Sequence, residues 1–331
     1  MSRSFAIDLG TSTTRVFASS RGIVLREPSV IALNSQTKKV IAFGSKASEE
    51  VGKTPGYNVL MEPLQNGAIA DFDVTERMLE IIFSKAGAKK FQKPRVVIGV
   101  AKATTEVERR AIKEAAKIAG SSKVLLIEQS MAAAIGAGLP IGEPIASMIV
   151  DIGAGTTEAA IFALGGMVTG ETTRIGGRSI DLQIQSYFRR EYSLAISREV
   201  AEEVKIQLAS AEIDDREVIA EIRGRDTMSG SPCSVRVKRS EINEAISDLV
   251  GQIINTVKAC LAQAPPDLGQ DLIANGIFLT GGCALLRNLP EKIAKETMLP
   301  VEIVDNPMDT VVIGASKSFQ FIDALESGKG S

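Results

Sequence analysis

The feature that most constrains this chain is a turn that occurs twice. Asp8-Leu-Gly-Thr-Ser-Thr-Thr14 follows the apolar run Ser4 to Leu9, and Asp151-Ile-Gly-Ala-Gly-Thr-Thr157 follows a second apolar run from Ile145 to Ile152. Aligning Asp8 with Asp151 matches Gly10 to Gly153, Thr13 to Thr156 and Thr14 to Thr157. Each copy reads as a strand, a tight glycine turn and a second strand, through Arg15 to Ala18 and Glu158 to Phe162. Such a repeat implies two related halves. Each offers an acidic residue and a Gly/Thr turn at a strand end. Successive backbone N–H groups in a turn of this kind, with threonine hydroxyls beside them, cradle phosphate oxygens. Asp8 and Asp151 could hold Mg²⁺ through water, because that ion sheds its hydration shell reluctantly. One copy alone is better read as a plain hairpin; the pair favours phosphate binding.

Helix and strand signals fill the rest of the chain. Asp73-Val-Thr-Glu76 reads as a capping box ahead of Met78, Leu79, Ile82 and Phe83 at helical spacing, stopped by Gly87. Thr105-Glu-Val-Glu108 is a second box, opening a helix with Ile112, Ala115, Ala116 and Ala119 on one face. Arg95 to Val100 reads as a strand, Val124 to Ile127 as a short buried strand, and Ser130 to Gly138 as a small-residue helix. Ser197 to Ala209 is expected to be a helix, and Ser240 to Ala264 a long one ended by Pro265-Pro266. Gly224 to Ser234 reads as a loop between short strands, and the tail after Ser327 as a disordered end. Strands alternating with helices, without a long linker, predict α/β layers packed as two halves.

Composition narrows the chemistry. The chain has 331 residues, enough for roughly two domains. Lys plus Arg number 38 against 40 Asp plus Glu, so no global basic field exists and a nucleic-acid partner is not expected. Histidine is absent, which removes Ser-His-Asp and Cys-His catalysis, a His general base and His metal sites together. With no Trp and 4% aromatics, stacking on bases or sugars is not expected, and the core is expected to be Ile, Val, Leu and Ala. Cys233, Cys260 and Cys283 lie far apart and form neither a disulfide framework nor a zinc spacing, which fits a reducing cytosol. No signal peptide and no spanning segment are expected.

Two further stretches can carry a ligand. Ile277 to Thr280 reads as a strand running into Gly281-Gly282, where the missing side chains let something flat approach the backbone. By itself this is equally a tight strand-to-helix turn. Glu202 and Lys205, three apart on one helix face, could hydrogen-bond a ribose or an adenine edge. Taken alone, a solvated ion pair is the plainer reading.

Taken together these residues resemble the actin superfamily of ATPases, and within it the MreB/Mbl family of bacterial actins, over nearly the whole chain. The stretches that carry the resemblance are the two acidic turns, with the second extended to Glu158, and Pro94-Arg-Val-Val-Ile-Gly-Val100, Val107-Glu-Arg-Arg-Ala111 and Met131-Ala-Ala-Ala-Ile-Gly-Ala-Gly-Leu-Pro140. Arg223-Gly-Arg-Asp226 with Ser229-Gly-x-Pro232, and Gly276-Ile-Phe-Leu-Thr-Gly-Gly282, are more specific to that family than the turns. The resemblance implies an α/β actin-like fold of two lobes, each with a duplicated core and a small subdomain, and ATP with Mg²⁺ in a cleft between them. On that pattern residues 1–32, 65–140 and 315–331 form the first core and 33–64 its small subdomain. Residues 141–176 and 246–314 form the second core and 177–245 its small subdomain. Gly10, Thr11, Ser12, Thr13 and Thr14 with Gly153, Ala154, Gly155, Thr156 and Thr157 would grip the phosphates. Gly281, Gly282, Cys283, Glu202 and Lys205 would face the nucleoside. Asp8 and Asp151 would hold Mg²⁺ through water, and Gln129, Asp151 and Thr156 would serve hydrolysis. The resemblance also implies self-assembly into paired protofilaments that lie in the cytoplasm on the inner face of the cell membrane, meet wall-synthesis membrane proteins and help determine cell shape.

Departures from the family pattern modify these expectations. Where the family has Ile-Glu-Glu-Pro, this chain has Ile127-Glu128-Gln129-Ser130. The second Glu orients the attacking water; Gln129 cannot accept a proton but can still hydrogen-bond water. Loss of a general base is worth about 10²–10⁴-fold in rate, while positioning alone still helps phosphoryl transfer. Eukaryotic actin has Gln at the corresponding place, so slow hydrolysis is expected. Ala154, Ala101, Arg178 and Cys283 are further departures, and Arg178 could add a cation near the phosphates. For membrane contact the candidate is Lys89-Lys-Phe-Gln-Lys93. Burial of Phe91 at about 1.5–3 kcal/mol and about 1 kcal/mol per lysine give weak monomer binding that a filament could strengthen by avidity. Phe91 tucked inward in a solvated lysine loop is an equal reading. Three other functions stay open: a small-molecule kinase of the superfamily, a chaperone-like ATPase, and a hydrolysis-deficient paralogue that co-assembles with an active MreB.

Overall fold

Ser4–Leu9 lies at the middle of a five-stranded sheet, which is why its last five residues are buried. In the computed structural model, residues 4–53, 56–65, 68–69, 71–88, 93–212 and 218–327 are described. The chain divides into two compact units, 1–143 with 308–331, and 144–307. In the first unit the large sheet runs Lys123–Glu128, Arg95–Val100, Ser4–Leu9, Thr13–Ala18, Gly22–Pro28. The first three strands are parallel and the last two return as hairpins. In the second unit the order is Val301–Ile303, Ile277–Thr280, Ser147–Ile152, Thr157–Ala163, Gly166–Thr173, with the same pattern of directions. The repeated turn is thus the visible part of a repeated sheet. Its register repeats too: Asp8 stands opposite Arg15 on one side and Gly99 on the other, and Asp151 opposite Glu158 and Thr280.

Helices cover these sheets. In the first unit Phe72–Lys85 and Glu106–Ile118 bring Met78, Leu79, Ile82, Phe83, Ile112 and Ala115 onto Phe5, Ile7, Val96 and Ile98. In the second, Gly177–Tyr192 and Arg239–Ala262 bring Ile180, Ile184, Phe188, Ile246 and Val250 onto Met148, Val150 and Ile161. The expectation of a purely aliphatic core is corrected here. Phe5, Phe43, Phe162 and Phe188 are among the largest fully buried side chains, because a few phenylalanines fill volume that alanine-rich faces leave open. Each unit also has a three-stranded sheet. One is Val40–Phe43, Ile31–Asn34, Asn58–Met61; the other is Leu194–Ala195, Ile219–Asp226, Pro232–Lys238.

Most local signals hold, and the exceptions have local causes. The Thr105 capping box forms as read, with Thr105 Oγ1 accepting from Glu108 N–H and the Glu108 carboxylate accepting from Thr105 N–H. The box at Asp73 does not form. Asp71 caps instead, accepting from Val74 N–H at 3.0 Å, which turns Val74, Met78, Leu79, Ile82 and Phe83 together into the core. The strand at Lys123–Glu128 is half-buried along its length, since it is the edge of its sheet. Gly224–Ser234 is mostly strand; only residues 227–231 connect Ile219–Asp226 to Pro232–Lys238. The long helix spans Arg239–Ala262, and residues after Ser327 lie outside the described ones, as do Lys89 to Gln92.

The helices Gln129–Ala137 and Thr310–Ser327 cross with their backbones in contact. A Cβ on Gly136 would stand 2.0 Å from the Thr310 carbonyl oxygen, and one on Gly314 1.7 Å from that of Ala132. Only glycine fits at either place. This crossing fixes where the N-terminal ends of both helices fall, and those ends carry Gln129 and Asp309.

Candidate functional site

Each unit carries its own cluster of candidate residues. In the first, the sheet register sets Gly99, Asp8, Arg15 and Arg26 side by side across four strands. Residues opposite one another in adjacent strands share a face, so Asp8 and Arg15 are neighbours by construction. Arg15 Nη1 stands 3.7 Å from Asp8 Oδ2. Gln129, first residue of its helix, donates from Nε2 to Asp8 Oδ1 at 3.4 Å. A Cβ on Gly99 would crowd Val311 Cγ1 at 3.3 Å and would meet Gln129 Cγ at an ordinary 3.6 Å. Asp309 completes the cluster, with Arg15 Nε 3.2 Å from its Oδ1 and Arg26 gripping both oxygens. Burial pushes the Asp8 carboxyl up to about 6, although Arg15 and Gln129 pull it down. The Arg26 contact holds Asp309 below the usual carboxylate range.

The turn above Asp8 is braced from within. Thr14 hydrogen-bonds Ser29 Oγ at 2.8 Å, and Ser29 Oγ donates to the Gly10 carbonyl at 2.6 Å. A Cβ on Gly10 would lie 2.6 Å from the Thr13 carbonyl, so the turn closes only with glycine there. Thr14 is fully buried, whereas Ser12 is exposed and Thr13 half-exposed at the tip.

The second unit repeats the plan with different partners. Gly153 N–H donates to the Thr156 carbonyl at 2.9 Å, closing the turn. Thr157 Oγ1 donates to the Ile175 carbonyl at 2.8 Å, so this buried threonine braces its turn as Thr14 does. The first N–H groups of helix Gly177–Tyr192 reach the turn itself: Gly177 N–H donates to Gly153 O and Arg178 N–H to Ala154 O. Gly155 and Thr156 are buried; Gly153 and Ala154 are half-exposed. Gly281, with φ of +86°, presses against the end of the central strand, where a Cβ would lie 2.3 Å from Ile152 O and 2.6 Å from Asp151 Oδ1. Only glycine supports that approach. The Pro307 carbonyl ties Gly281 down, accepting from its N–H and from Thr280 Oγ1.

Lys205 and Cys283 meet at the same place. A Cβ on Gly177 would touch Cys283 Sγ at 2.8 Å and Lys205 Nζ at 3.2 Å. Lys205 does not form the pair with Glu202 that spacing alone suggests. Its ammonium contacts Asp181 Oδ1 at 2.7 Å and donates to Gly177 O at 3.3 Å. Burial raises the Asp181 carboxyl, against the pull of Lys205, and burial pushes the Cys283 thiol up to about 11. Glu202 is exposed on the same helix.

The groups that sequence reasoning missed are Arg15, Arg26, Asp309, Gly99 and Asp181. Only Arg15 had a readable signal, since the hairpin that carries Asp8 also places Arg15 opposite it. The donor set suits a hydrated magnesium ion. Among the described residues no three acidic or sulfur ligands converge, which excludes an all-protein cage there. Asp8 meets its two protein partners only at 3.4 and 3.7 Å, so its oxygens keep capacity for water held by an ion.

A sheet used twice with the same order, each copy ending its central strand in an acidic glycine turn, is the architecture of an actin-like protein. The crystal structure of MreB 5 of Spiroplasma citri bound to AMPPNP matches with a TM-score of 0.92 and 34% identity, covering 99% of each chain. The MamK double helical filament shares the fold at a TM-score of 0.82 and 23% identity, over 96% of this chain and 98% of that one. The family model described as MreB/Mbl protein matches residues 2–327. The cell shape-determining protein Mbl of Bacillus subtilis (strain 168) is 42% identical over 328 residues, 99% of this chain and 98% of the relative. The cell shape-determining protein MreB of Escherichia coli (strain K12) is also 42% identical over 328 residues, 97% and 94% of the two chains. The chain belongs to the MreB/Mbl family of actin-like, cell shape-determining proteins. No helix among the described residues is long and apolar enough to cross a membrane.

Proposed function

We propose that this protein binds ATP with Mg²⁺ and assembles with copies of itself into cytoskeletal filaments that help set cell shape. The observation that carries the reading is the acidic Gly/Thr turn, present in both units at one register and braced each time by its buried last threonine, through different partners. Relatives add weight. One was crystallised with AMPPNP and again with ADP, and MamK forms a double helical filament. Gly10 to Thr13 and Gly153 to Thr156 would offer N–H and hydroxyl donors to phosphate oxygens, with Thr14 and Thr157 holding the turns in shape. Gly281, Gly282 and Cys283 would let the nucleoside approach, with Lys205 and Glu202 beside it. Asp8 and Asp151 would accept hydrogen bonds from water on Mg²⁺, whose charge offsets that of the phosphates.

Hydrolysis is expected to be slow. Gln129 uses its amide N–H₂ on Asp8, which leaves Oε1 to orient a water without taking its proton. Thr156 and Asp151 would shape the same step. The four-part division into two cores and two small subdomains, with the boundaries given above, belongs to this proposal. So do a cytoplasmic location at the inner membrane face through Lys89 to Lys93, and a link to wall-synthesis membrane proteins. Sedimentation and electron microscopy of the purified chain test the reading: polymer that depends on ATP or ADP supports it. Absence of polymer across nucleotides, salts and concentrations overturns it.

The Gln129–Asp8 contact also favours a second reading, a paralogue that binds nucleotide, does not turn it over and co-assembles with an active MreB. Steady phosphate release by this chain alone would remove that reading.

A further inference from the structure

Asp8, Arg15 and Arg26 stand on three neighbouring strands of one sheet, in a row imposed by register. Asp309 enters the row from the start of helix Thr310–Ser327. Arg26 takes Asp309 with two arms, Nε to Oδ1 at 3.1 Å and Nη2 to Oδ2 at 2.6 Å. Arg15 brings Nε within 3.2 Å of the same Oδ1, while its Nη1 stays 3.7 Å from Asp8 Oδ2. Neither contact is a hydrogen bond, since Arg15 Nε has no hydrogen-bond partner, so both are ion pairs. One guanidinium therefore lies between two carboxylates, and its nearer approach is to Asp309. The side chains of Arg15, Asp8 and Asp309 are 15%, 9% and 14% exposed, so the choice is made largely out of water.

We propose that Asp309 is a positioning residue of the nucleotide site: by holding Arg15 it keeps the Asp8 carboxylate open to water bound on magnesium. This inference rests on the nucleotide reading above. Take Asp309 away, and Arg15 has one carboxylate left within reach. It then closes on Asp8 to form a charge-assisted pair, and that pair occupies the oxygens which the hydrated ion needs. Arg26 matters in the same scheme as the anchor of Asp309. The clamp joins the first hairpin to the last helix of the chain, and it sits where the Gly136–Gly314 crossing fixes the helix end.

The test uses the full chain with ATP as the probe. Binding is measured by calorimetry in magnesium chloride and in EDTA, with thermal unfolding recorded alongside. The quantity read is the magnesium gain, the affinity with the ion divided by that without it. Asp309→Asn is expected to cut the gain by about tenfold, the weight of one contact to a charged group, with the affinity in EDTA unchanged. Adding Arg15→Gln to that variant is expected to restore the gain. Arg15→Gln alone is expected to raise it above the wild-type value, and decides the matter should Asp309→Asn not fold. An unchanged gain in Asp309→Asn, or an equal fall with and without magnesium, overturns the inference, as does a fall in gain in Arg15→Gln. A wild-type chain that binds no ATP sinks the nucleotide reading and this inference together; binding with an unaltered gain sinks only the inference.

Discussion

Asp8 is charged where charge is costly. Its carboxyl titrates at about 6 rather than 3.8, with burial as the largest cause. The folded value lies above the unfolded one, so the folded chain holds this proton more tightly. The stability that the proton contributes is complete below about pH 4 and is lost as pH rises through 6. Asp8→Asn is therefore expected to stabilise the nucleotide-free chain at pH 7 by up to about 3 kcal/mol. The difference from wild type should vanish toward pH 4. Urea unfolding at the two pH values measures it, and a variant no more stable at pH 7 than wild type contradicts it. Gln129, at the other side of Asp8, bears on rate. Gln129→Glu supplies a base beside the water it orients and is expected to speed phosphate release by about 10²-fold; no change would mean that Gln129 is not near the attacking water. Arg15 was legible from the hairpin, because residues opposite each other are fixed by a short turn. Asp309 was not, being 283 residues from Arg26, a distance no local pattern spans.

At the level of elements, a cap and a crossing do the positioning. Thr105 and Glu108 satisfy each other's backbone N–H groups, and such a box is readable because all its atoms lie within one turn. Thr105→Ala is expected to cost about 1 kcal/mol in urea unfolding, with the fold retained. The Asp73 box failed for the opposite reason. Asp71 and Asp73 are both competent caps locally, and burial of Val74, Met78 and Phe83 chose between them. Of the crossing of Gln129–Ala137 with Thr310–Ser327, only the small residues of the first helix were legible, not the contact. Gly314→Ala would drive a methyl into the Ala132 carbonyl, and is expected to cost about 1–3 kcal/mol. It should also weaken ATP binding, since the same shift moves Gln129 and Asp309. Thermal unfolding and calorimetry on one sample check both effects, and a full-affinity variant would detach the crossing from the site.

For the whole molecule the decisive trait is duplication. It was plain in the sequence because two seven-residue turns are easily aligned, and the structure extends it to strand order, direction and register. Under the proposed function, the chain sediments with ATP, and an Asp151→Ala variant, with one turn stripped of its acid, is expected to lose most of the pelleted fraction while staying folded by circular dichroism. Pelleting at the wild-type level would argue that assembly does not pass through that turn. The copies agree in backbone but not in side chains: where one row reads Asp8, Arg15, Arg26, its counterpart reads Asp151, Glu158, Thr172. One backbone plan thus carries two chemistries: guanidinium groups stand in the row of the first unit where the second has a carboxylate and a hydroxyl, so a substitution carried from one turn to the matching position of the other meets different neighbours.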